Sequence, residues 1–286
     1  MRYKVNGTIL NVFEAGVENY NQGRPSLVFL HYFGGSSLAW TEVITSLSKN
    51  YHCVAPDLRG FGSSAASAES FTIEDYADDI EKLTASLRIE NFALVGHSMG
   101  GKFALALAAR KPKNLQSLIL LAPSPPTPEP IPDDERAKLL NARGNRCVAT
   151  ETVCQAAGGK LPGEVFERSV NDNLRSSEAA WLAWLESESR RDIASDIRKI
   201  NVPVLVAAGE KDEMMTAALL RREIVRRVEK ARLVVVAKVK HLLPLEAPEE
   251  VADLIREHCE NGINDEKNLS VRRVRKANNS IRSDFR

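Results

Sequence analysis

The sequence predicts an α/β fold: a mostly parallel central sheet with an antiparallel N-terminal hairpin, helices on both faces and an inserted helical cap. Short apolar runs alternate with helix-favouring stretches along residues 26–121, as in a parallel sheet that helices cover on both sides. The alternation stops at residues 123–132, where six of ten residues are proline. It resumes at residues 202–208 with another apolar run, so the intervening stretch is predicted to be an insertion.

Composition is that of an ordinary globular protein. The 286 residues are 43% hydrophobic and 27% charged, with a net charge of +1. That balance gives no general attraction to nucleic acid or to an anionic membrane. Because the start of the chain lacks an apolar signal segment and no stretch is long enough to cross a membrane, we expect a cytoplasmic protein with no nucleic-acid or membrane partner. The oligomeric state is left open.

The cysteines and glycines show no pattern of a metal site or a phosphate-binding loop. We therefore expect no metal and no cofactor. Four cysteines are scattered without a Cys-x-x-Cys spacing, which favours free, buried thiols over disulfides. They are Cys53, Cys147, Cys154 and Cys259.

The N-terminal third begins with a hairpin signal. Asn6-Gly7 separates two apolar-rich runs at residues 3–5 and 8–13, and both turn residues tolerate positive φ. Buried strands are predicted at residues 26–31 and 51–55, with a helix at 38–47 between them. Thr72 is a good N-cap for a helix that ends near residue 87, with Asp75 in its first turn.

The most informative stretch is Gly96-His97-Ser98-Met99-Gly100-Gly101. It follows an apolar run at residues 92–95 and precedes the alanine-rich residues 102–110, which predicts a strand, a sharp turn and a helix. Gly-x-Ser-x-Gly in this setting is typical of a nucleophile elbow, which exposes the serine hydroxyl. Such patterns also occur by chance in ordinary turns, so the interpretation requires a histidine and an acid further along the chain.

These patterns divide the chain into three parts. Residues 1–122 and 201–260 are predicted to form the α/β core, with further strands at 115–121, 202–208 and 231–236 and helices at 217–228 and 248–258. Residues 123–200 are predicted to form a proline-rich spacer and a helical cap. Residues 261–286 are basic and aperiodic, and are predicted to be a disordered tail. The predicted cap helices are 133–143, 150–157, 162–173 and 177–189.

Histidine 241 is the best candidate for a general base among five histidines. It follows the last predicted strand, so it lies at the carboxyl edge of the sheet, where open α/β sheets bind ligands. His31 and His97 also end strands, but we expect each to order its own loop. His52 begins a buried strand, and His258 is near the end of the last helix.

Asp212 is the preferred acid because it comes directly after the strand that ends near residue 208. The order serine, acid, histidine also suits an elbow of this type. Glu210 and Glu213 are nearby alternatives for this acid, and so are carboxylates of the insertion, if it covers the carboxyl edge of the sheet. The latter are Asp133, Asp192 and Asp196.

Together these segments resemble the α/β-hydrolase superfamily, most of all its cap-bearing serine esterases and cofactor-free haloperoxidase-like members. The resemblance spans about residues 3–258 and rests on five separated signals. They are residues 96–101, the loop His31-Tyr32-Phe33-Gly34, residues 57–63, residues 209–212 and His241.

The resemblance implies an oxyanion hole made by the N–H groups of Met99 and Phe33. Tyr32 stands where the family usually has glycine, next to the proposed donor Phe33. Lys240 likewise replaces a glycine that often precedes the catalytic histidine, and it would add positive charge at the mouth of the site. A serine at position 98 disfavours haloalkane dehalogenases and epoxide hydrolases, in which the resemblance leads us to expect aspartate.

The sequence thus predicts a serine hydrolase that cleaves a small carboxylic ester through an acyl-enzyme on Ser98, with His241 and Asp212 completing a triad. Alternatives are a lactone, a thioester or a C–C bond in a diketone as substrate, and a small-molecule receptor that keeps the triad. Tyr32, Trp181 and Trp184 are predicted to line the substrate pocket, although the tryptophans would also serve simply to pack the cap on the core.

Overall fold

The structure is a computed structural model that describes residues 1–64, 68–141 and 143–261, together with the backbone of 273–274. The basic tail predicted over 261–286 lies outside the described residues apart from these few positions. Its disorder therefore stays a prediction.

A nine-stranded sheet has the order β1-β2-β4-β3-β5-β6-β7-β8-β9. The hairpin β1–β2 is antiparallel and pairs antiparallel with β4, whereas every neighbour from β4 to β9 is parallel. This arrangement confirms the predicted fold class. The strands are Arg2–Val5, Thr8–Ala15, Ser26–Leu30, Cys53–Pro56, Phe92–His97, Leu115–Leu121, Val204–Gly209, Ala231–Val236 and Arg273–Val274.

Ten α-helices lie in the described part of the chain. Thr72 caps α2 in a capping box with Asp75, as predicted. Helices α7 and α8 continue as π-helical segments at Ala183–Ser187 and Arg221–Val225, so the helices predicted at 177–189 and 217–228 change geometry midway. Helices α1–α10 are Thr41–Leu47, Ile73–Ser86, Met99–Ala109, Asp133–Leu140, Arg146–Ala156, Gly163–Arg175, Glu178–Leu182, Ala217–Leu220, Leu243–Glu246 and Pro248–Asn261.

Four central strands, β3, β5, β6 and β7, are buried along nearly their whole length. Register aligns their carboxyl ends, with His97 opposite Leu121 and Gly209 opposite Val236. The loops that follow β5, β7 and β8 therefore leave the sheet at one edge. No helix among the described residues is long and apolar enough to cross a membrane.

Helices α4–α7 form the insertion between β6 and β7. Lys102 of α3 is fully buried, and its ammonium group donates to the carbonyls of Thr127, Ser189 and Arg191. These acceptors belong to the beginning and the end of the insertion. The side chain of Lys102 thus connects both ends of the inserted segment to helix α3 of the core.

The cysteines are free, as expected, but burial was predicted wrongly for two of them. Cys53 is buried and Cys259 is half-buried, whereas Cys147 and Cys154 are exposed. Both exposed thiols lie on α5, whose buried face is made by Ala149 and Val153 instead. Cys147 and Cys154 are thus on one helix, but that helix turns a different face to the interior.

Candidate active site

The nucleophile elbow is built where β5 passes into α3. Ser98 has φ 53° and ψ −118°, a backbone conformation that few non-glycine residues adopt. A Cβ at Gly96 would lie 2.6 Å from the carbonyl oxygen of Gly100, and a Cβ at Gly100 would lie 2.5 Å from that of Leu30. The small residues around the serine are therefore required for the close approach of strand and helix.

His241 lies in the loop between β8 and α9. Its Nε2 atom is 2.9 Å from Ser98 Oγ, within reach for proton transfer. The backbone around it is held on both sides, because its N–H donates to Ala156 of α5 and its carbonyl accepts from His97 Nε2. Ser98 and His241 are each 7% exposed, so their contact is largely shielded from bulk water.

Asp212 completes a continuous chain of hydrogen bonds. Its Oδ2 is 2.7 Å from His241 Nδ1, and its Oδ1 accepts from the N–H groups of Met214 and Met215, both at 3.0 Å. Burial alone would raise the pKa of this carboxyl. The hydrogen bond and charge of His241 and the two backbone donors outweigh burial and hold the pKa below its usual value.

The rival acids have other partners. Glu210 accepts from the N–H of Lys238, and Glu213 is 86% exposed and pairs with Lys240. In the insertion, Asp133 is almost fully exposed, Asp192 accepts from the backbone of Ala194, and Asp196 pairs with Lys199. Asp212 is the carboxylate that contacts His241.

Histidines 31 and 97 are both fully buried. His31 bonds to the carbonyl of Tyr32 and accepts from the N–H of Leu58, so it orders its loop as expected. His97 instead supports His241. Burial and the neighbouring His241 lower the pKa of His97 to about 3, so a neutral ring donates from Nε2 to the carbonyl of His241.

The loop after β3 turns sharply beside the elbow. Gly35 N–H donates to the carbonyl of Tyr32, and Gly34 has φ +75°, as a tight turn of this type requires. Among the described residues, neither the N–H of Phe33 nor that of Met99 donates to a protein acceptor. Met99 begins α3, where backbone N–H groups point out of the helix.

Aromatic side chains join this loop to the insertion. The ring of Phe33 lies 4.3 Å from that of Trp181 and 6.3 Å from that of Trp184, centroid to centroid. Both tryptophans are nearly fully buried, at 2% and 4% exposure. Tyr32 packs edge-on against His97, and burial raises its pKa to about 12, so its phenol is neutral.

One ionisable group near the site that the sequence did not point to is Glu129, a half-buried residue of the proline-rich spacer. Its carboxyl accepts from Ser124 Oγ at 2.6 Å. Burial raises its pKa, although Ser124 and the charges of Lys102 and His241 oppose the rise. The only sequence signal was a single acid among six prolines, which says nothing of its neighbours.

Lys240, which precedes His241, is bound to two glutamates. Its N–H donates to the carboxylate of Glu246, and its ammonium group pairs with Glu213. Its carbonyl lies so close to Gly209 that a Cβ there would come within 1.9 Å of it.

Among the described residues, no three His, Cys, Asp or Glu side chains are placed together so that they could hold a metal ion.

Comparison with known proteins agrees with this architecture. The family profile described as the alpha/beta hydrolase fold matches residues 25–153. A thermophilic esterase from Thermogutta terrifontis, solved with malate bound, superposes with a TM-score of 0.78 at 25% sequence identity. The match covers 92% of this chain and 99% of the esterase.

Two curated relatives have comparable similarity. Monoacylglycerol lipase abhd6-B of Xenopus laevis is 25% identical over 211 residues, which cover 67% of this chain and 63% of the lipase. The chain thus matches less than two thirds of that protein. The 3-oxoadipate enol-lactonase 2 of Acinetobacter baylyi is 26% identical over 203 residues, 68% of this chain and 74% of the lactonase.

The strand order, the elbow and the profile match lead to one conclusion. This chain has the alpha/beta hydrolase fold, and the proteins similar to it include enzymes named for action on ester and lactone bonds.

Proposed function

We propose that the protein is a serine hydrolase that cleaves small carboxylic esters through an acyl-enzyme. The observation that carries the proposal is the unbroken chain of hydrogen bonds from Ser98 through His241 to Asp212. Each member has the atom that the chemistry needs: a hydroxyl, a ring nitrogen that accepts its proton, and a carboxylate that fixes the tautomer of the ring.

In the first half of the reaction, Ser98 Oγ attacks the ester carbonyl while its proton passes to His241 Nε2. Asp212 stabilises the imidazolium that results. The tetrahedral intermediate collapses when His241 returns the proton to the leaving alcohol, which leaves the acyl group on Ser98. In the second half, His241 takes a proton from a water molecule that attacks the acyl carbon. His241 then gives this proton to Ser98 Oγ as the bond to the acyl group breaks and the acid is released.

The N–H groups of Met99 and Phe33 are proposed to stabilise the oxyanion of each tetrahedral intermediate. Support comes from their freedom from other acceptors in the described residues and from the place of Met99 at the start of α3. The positive end of the helix dipole adds to the effect. Donors of this kind act because they are already oriented toward the position where negative charge develops.

We further propose that residues 123–200 act as a cap that shapes the pocket above residues 1–122 and 201–260. The carbonyl of Ala156 in this segment accepts from His241, and Trp181 and Trp184 pack on Phe33. Such contacts put apolar surface next to the reacting groups. A small uncharged ester suits that setting better than a highly charged one.

A lactone is the second candidate substrate, because a relative of similar identity is named 3-oxoadipate enol-lactonase 2. Opening a lactone uses the same steps, except that the leaving alcohol stays attached to the acyl group. Parallel assays of a simple aryl lactone and an open-chain aryl ester separate the two substrate classes.

The test is a panel of p-nitrophenyl esters of rising acyl length, measured with the wild-type protein and Ser98→Ala. Ester hydrolysis that disappears in Ser98→Ala, with an unchanged melting temperature, is expected because the hydroxyl contributes the covalent step and little packing. A fluorophosphonate probe should label Ser98, as read by peptide mass spectrometry. Hydrolysis that persists in Ser98→Ala would refute the proposal.

A further inference from the structure

One face of α6 interlocks with the loop that follows β3. Ser169, Asp172 and Asn173 stand at i, i+3 and i+4 on this helix, so they share a face. The hydroxyl of Ser169 is near enough to the phenol of Tyr32 to lower its pKa, although burial raises that pKa overall. Asn173 lies against Gly34, where an added Cβ would come within 2.8 Å of its side-chain nitrogen. The insertion therefore contacts the loop on both sides of Phe33.

The third contact of this face is a buried hydrogen bond. Ser36 Oγ donates to Asp172 Oδ2 at 2.5 Å across 136 positions of sequence. Ser36 and Asp172 are 1% and 2% exposed, and a bond to an ionised carboxylate in such a setting is among the stronger ones in proteins. The same Ser36 Oγ accepts from the N–H of Leu38, so the contact fixes backbone as well as side chain.

A second buried carboxylate holds the loop from the core side. Asp57, which follows β4, accepts from the N–H of Ser37 at 2.7 Å and from that of Ser63. Adjacent loop residues are thus bound by one carboxylate from the core and one from the insertion. If the loop moved with the core, its bond to Asp172 would break, and if it moved with the insertion, its bond to Asp57 would break.

We propose that Asp172 is a positioning residue for the reaction: through Ser36 it holds the loop so that the N–H of Phe33 points at the oxyanion. The inference rests on the proposed function and extends it, because it makes a helix of the insertion part of the oxyanion site. An insertion that only covered the pocket would affect which substrates bind. One that orients a donor affects the rate of the chemical step.

The expected effect follows from the way oxyanion donors work. Loss of a whole donor lowers kcat by about 10²- to 10³-fold. A displaced donor loses part of this, so Asp172→Ala and Ser36→Ala should each lower kcat about 10-fold, with KM within about 2-fold of wild type. Asp172→Asn keeps an acceptor oxygen for Ser36 and should lose less. The losses in kcat of the two alanine variants should add up only in part in the double variant, because both remove the Ser36–Asp172 bond, while Ser36→Ala alone loses the bond from Leu38 and Asp172→Ala alone loses the pair with Arg175.

The experiment measures kcat and KM for p-nitrophenyl acetate, with active sites counted by fluorophosphonate labelling of Ser98. Glu42→Gln is the matched control, since it removes the charge from the partly buried pair with Arg168 that also docks α6, as Asp172→Asn does for its own pair, and leaves the bonds of the loop in place. Its kcat per labelled site should equal that of wild type.

Several outcomes would overturn the inference. One is an Asp172→Ala variant whose kcat per labelled site equals that of wild type. Another is a variant in which only the number of labelled sites or the melting temperature falls, which indicates a structural role alone. Equal losses in Glu42→Gln would assign the effect to helix docking in general. Turnover that survives Ser98→Ala would refute the proposed function instead, and this inference would fall with it.

Discussion

Replacement of Asp212 by asparagine should be far more damaging than its small change in shape indicates. The two backbone donors, Met214 and Met215, bond to one carboxylate oxygen, and His241 bonds to the other. In the variant, the amide oxygen has to face the two N–H donors, since the amide nitrogen would meet them donor to donor. The nitrogen is then directed at His241 Nδ1.

That orientation reverses the tautomer of the histidine. Nδ1 must become the acceptor of the amide N–H, so the ring proton moves to Nε2, the atom that has to receive the proton of Ser98. A general base that already carries a proton on the working nitrogen cannot act. We expect kcat to fall by about 10³- to 10⁴-fold, which corresponds to about 4–5 kcal/mol of transition-state stabilisation.

The assay is p-nitrophenyl acetate hydrolysis by wild type, Asp212→Asn and Asp212→Ala, each corrected for the Ser98→Ala background. Because alanine removes the orienting group without imposing the wrong tautomer, Asp212→Ala should keep at least as much activity as Asp212→Asn. Glu213→Gln makes the same chemical change on an exposed neighbour and should leave kcat unaltered. An Asp212→Asn enzyme with more than a tenth of wild-type kcat would refute the reasoning.

Three further predictions concern stability and specificity. The pKa of Asp212 is lower in the folded state than in the unfolded state. Ionised Asp212 therefore stabilises the fold above its unfolded pKa, and this stabilisation is lost as the pH falls through the folded pKa. Asp212→Asn should flatten the decline in melting temperature below about pH 4. Lys102→Met leaves three carbonyls without a donor and should lower the free energy of unfolding by about 3–5 kcal/mol in denaturant melts. Burial lowers the pKa of Lys102 to about 8, so with rising pH the folded state loses this proton before the unfolded state does. The difference in free energy of unfolding between wild type and Lys102→Met should therefore grow between pH 7 and 10. A constant or shrinking difference would contradict this. Trp184→Ala should cost about 3–5 kcal/mol of stability and also shift the kcat/KM ratio of long to short esters; equal loss on all esters would leave it a packing residue only.

The elements that were predicted well are those with unmistakable local signals. The strands Leu115–Leu121 and Ala231–Val236 each contain at least four consecutive apolar residues and agree with the prediction to the residue. The elbow was equally readable, because only small residues permit that turn. The π-helical segments had no such signal, since a single extra residue in a helical turn leaves the apolar spacing almost unchanged.

The site was readable only in part, because its contacts join distant positions. Asp212 stood among rival acids in the sequence, and its distinction is that the backbone of Met214 and Met215 turns back to bond it. The roles of His97 and Asp172 depend on partners 144 and 136 positions away. Nothing in local spacing or composition reports such pairings, so they emerged only from the folded chain.

The backbone of Ser98 sets catalysis against stability at a single position. Its φ of 53° and ψ of −118° suit glycine better than any residue with a side chain, and the difference is about 1–3 kcal/mol. A library of this protein screened by melting temperature alone would thus enrich glycine at position 98 and discard the nucleophile. Such a library has to be selected for turnover as well as for melting temperature, because selection for stability alone favours the loss of Ser98.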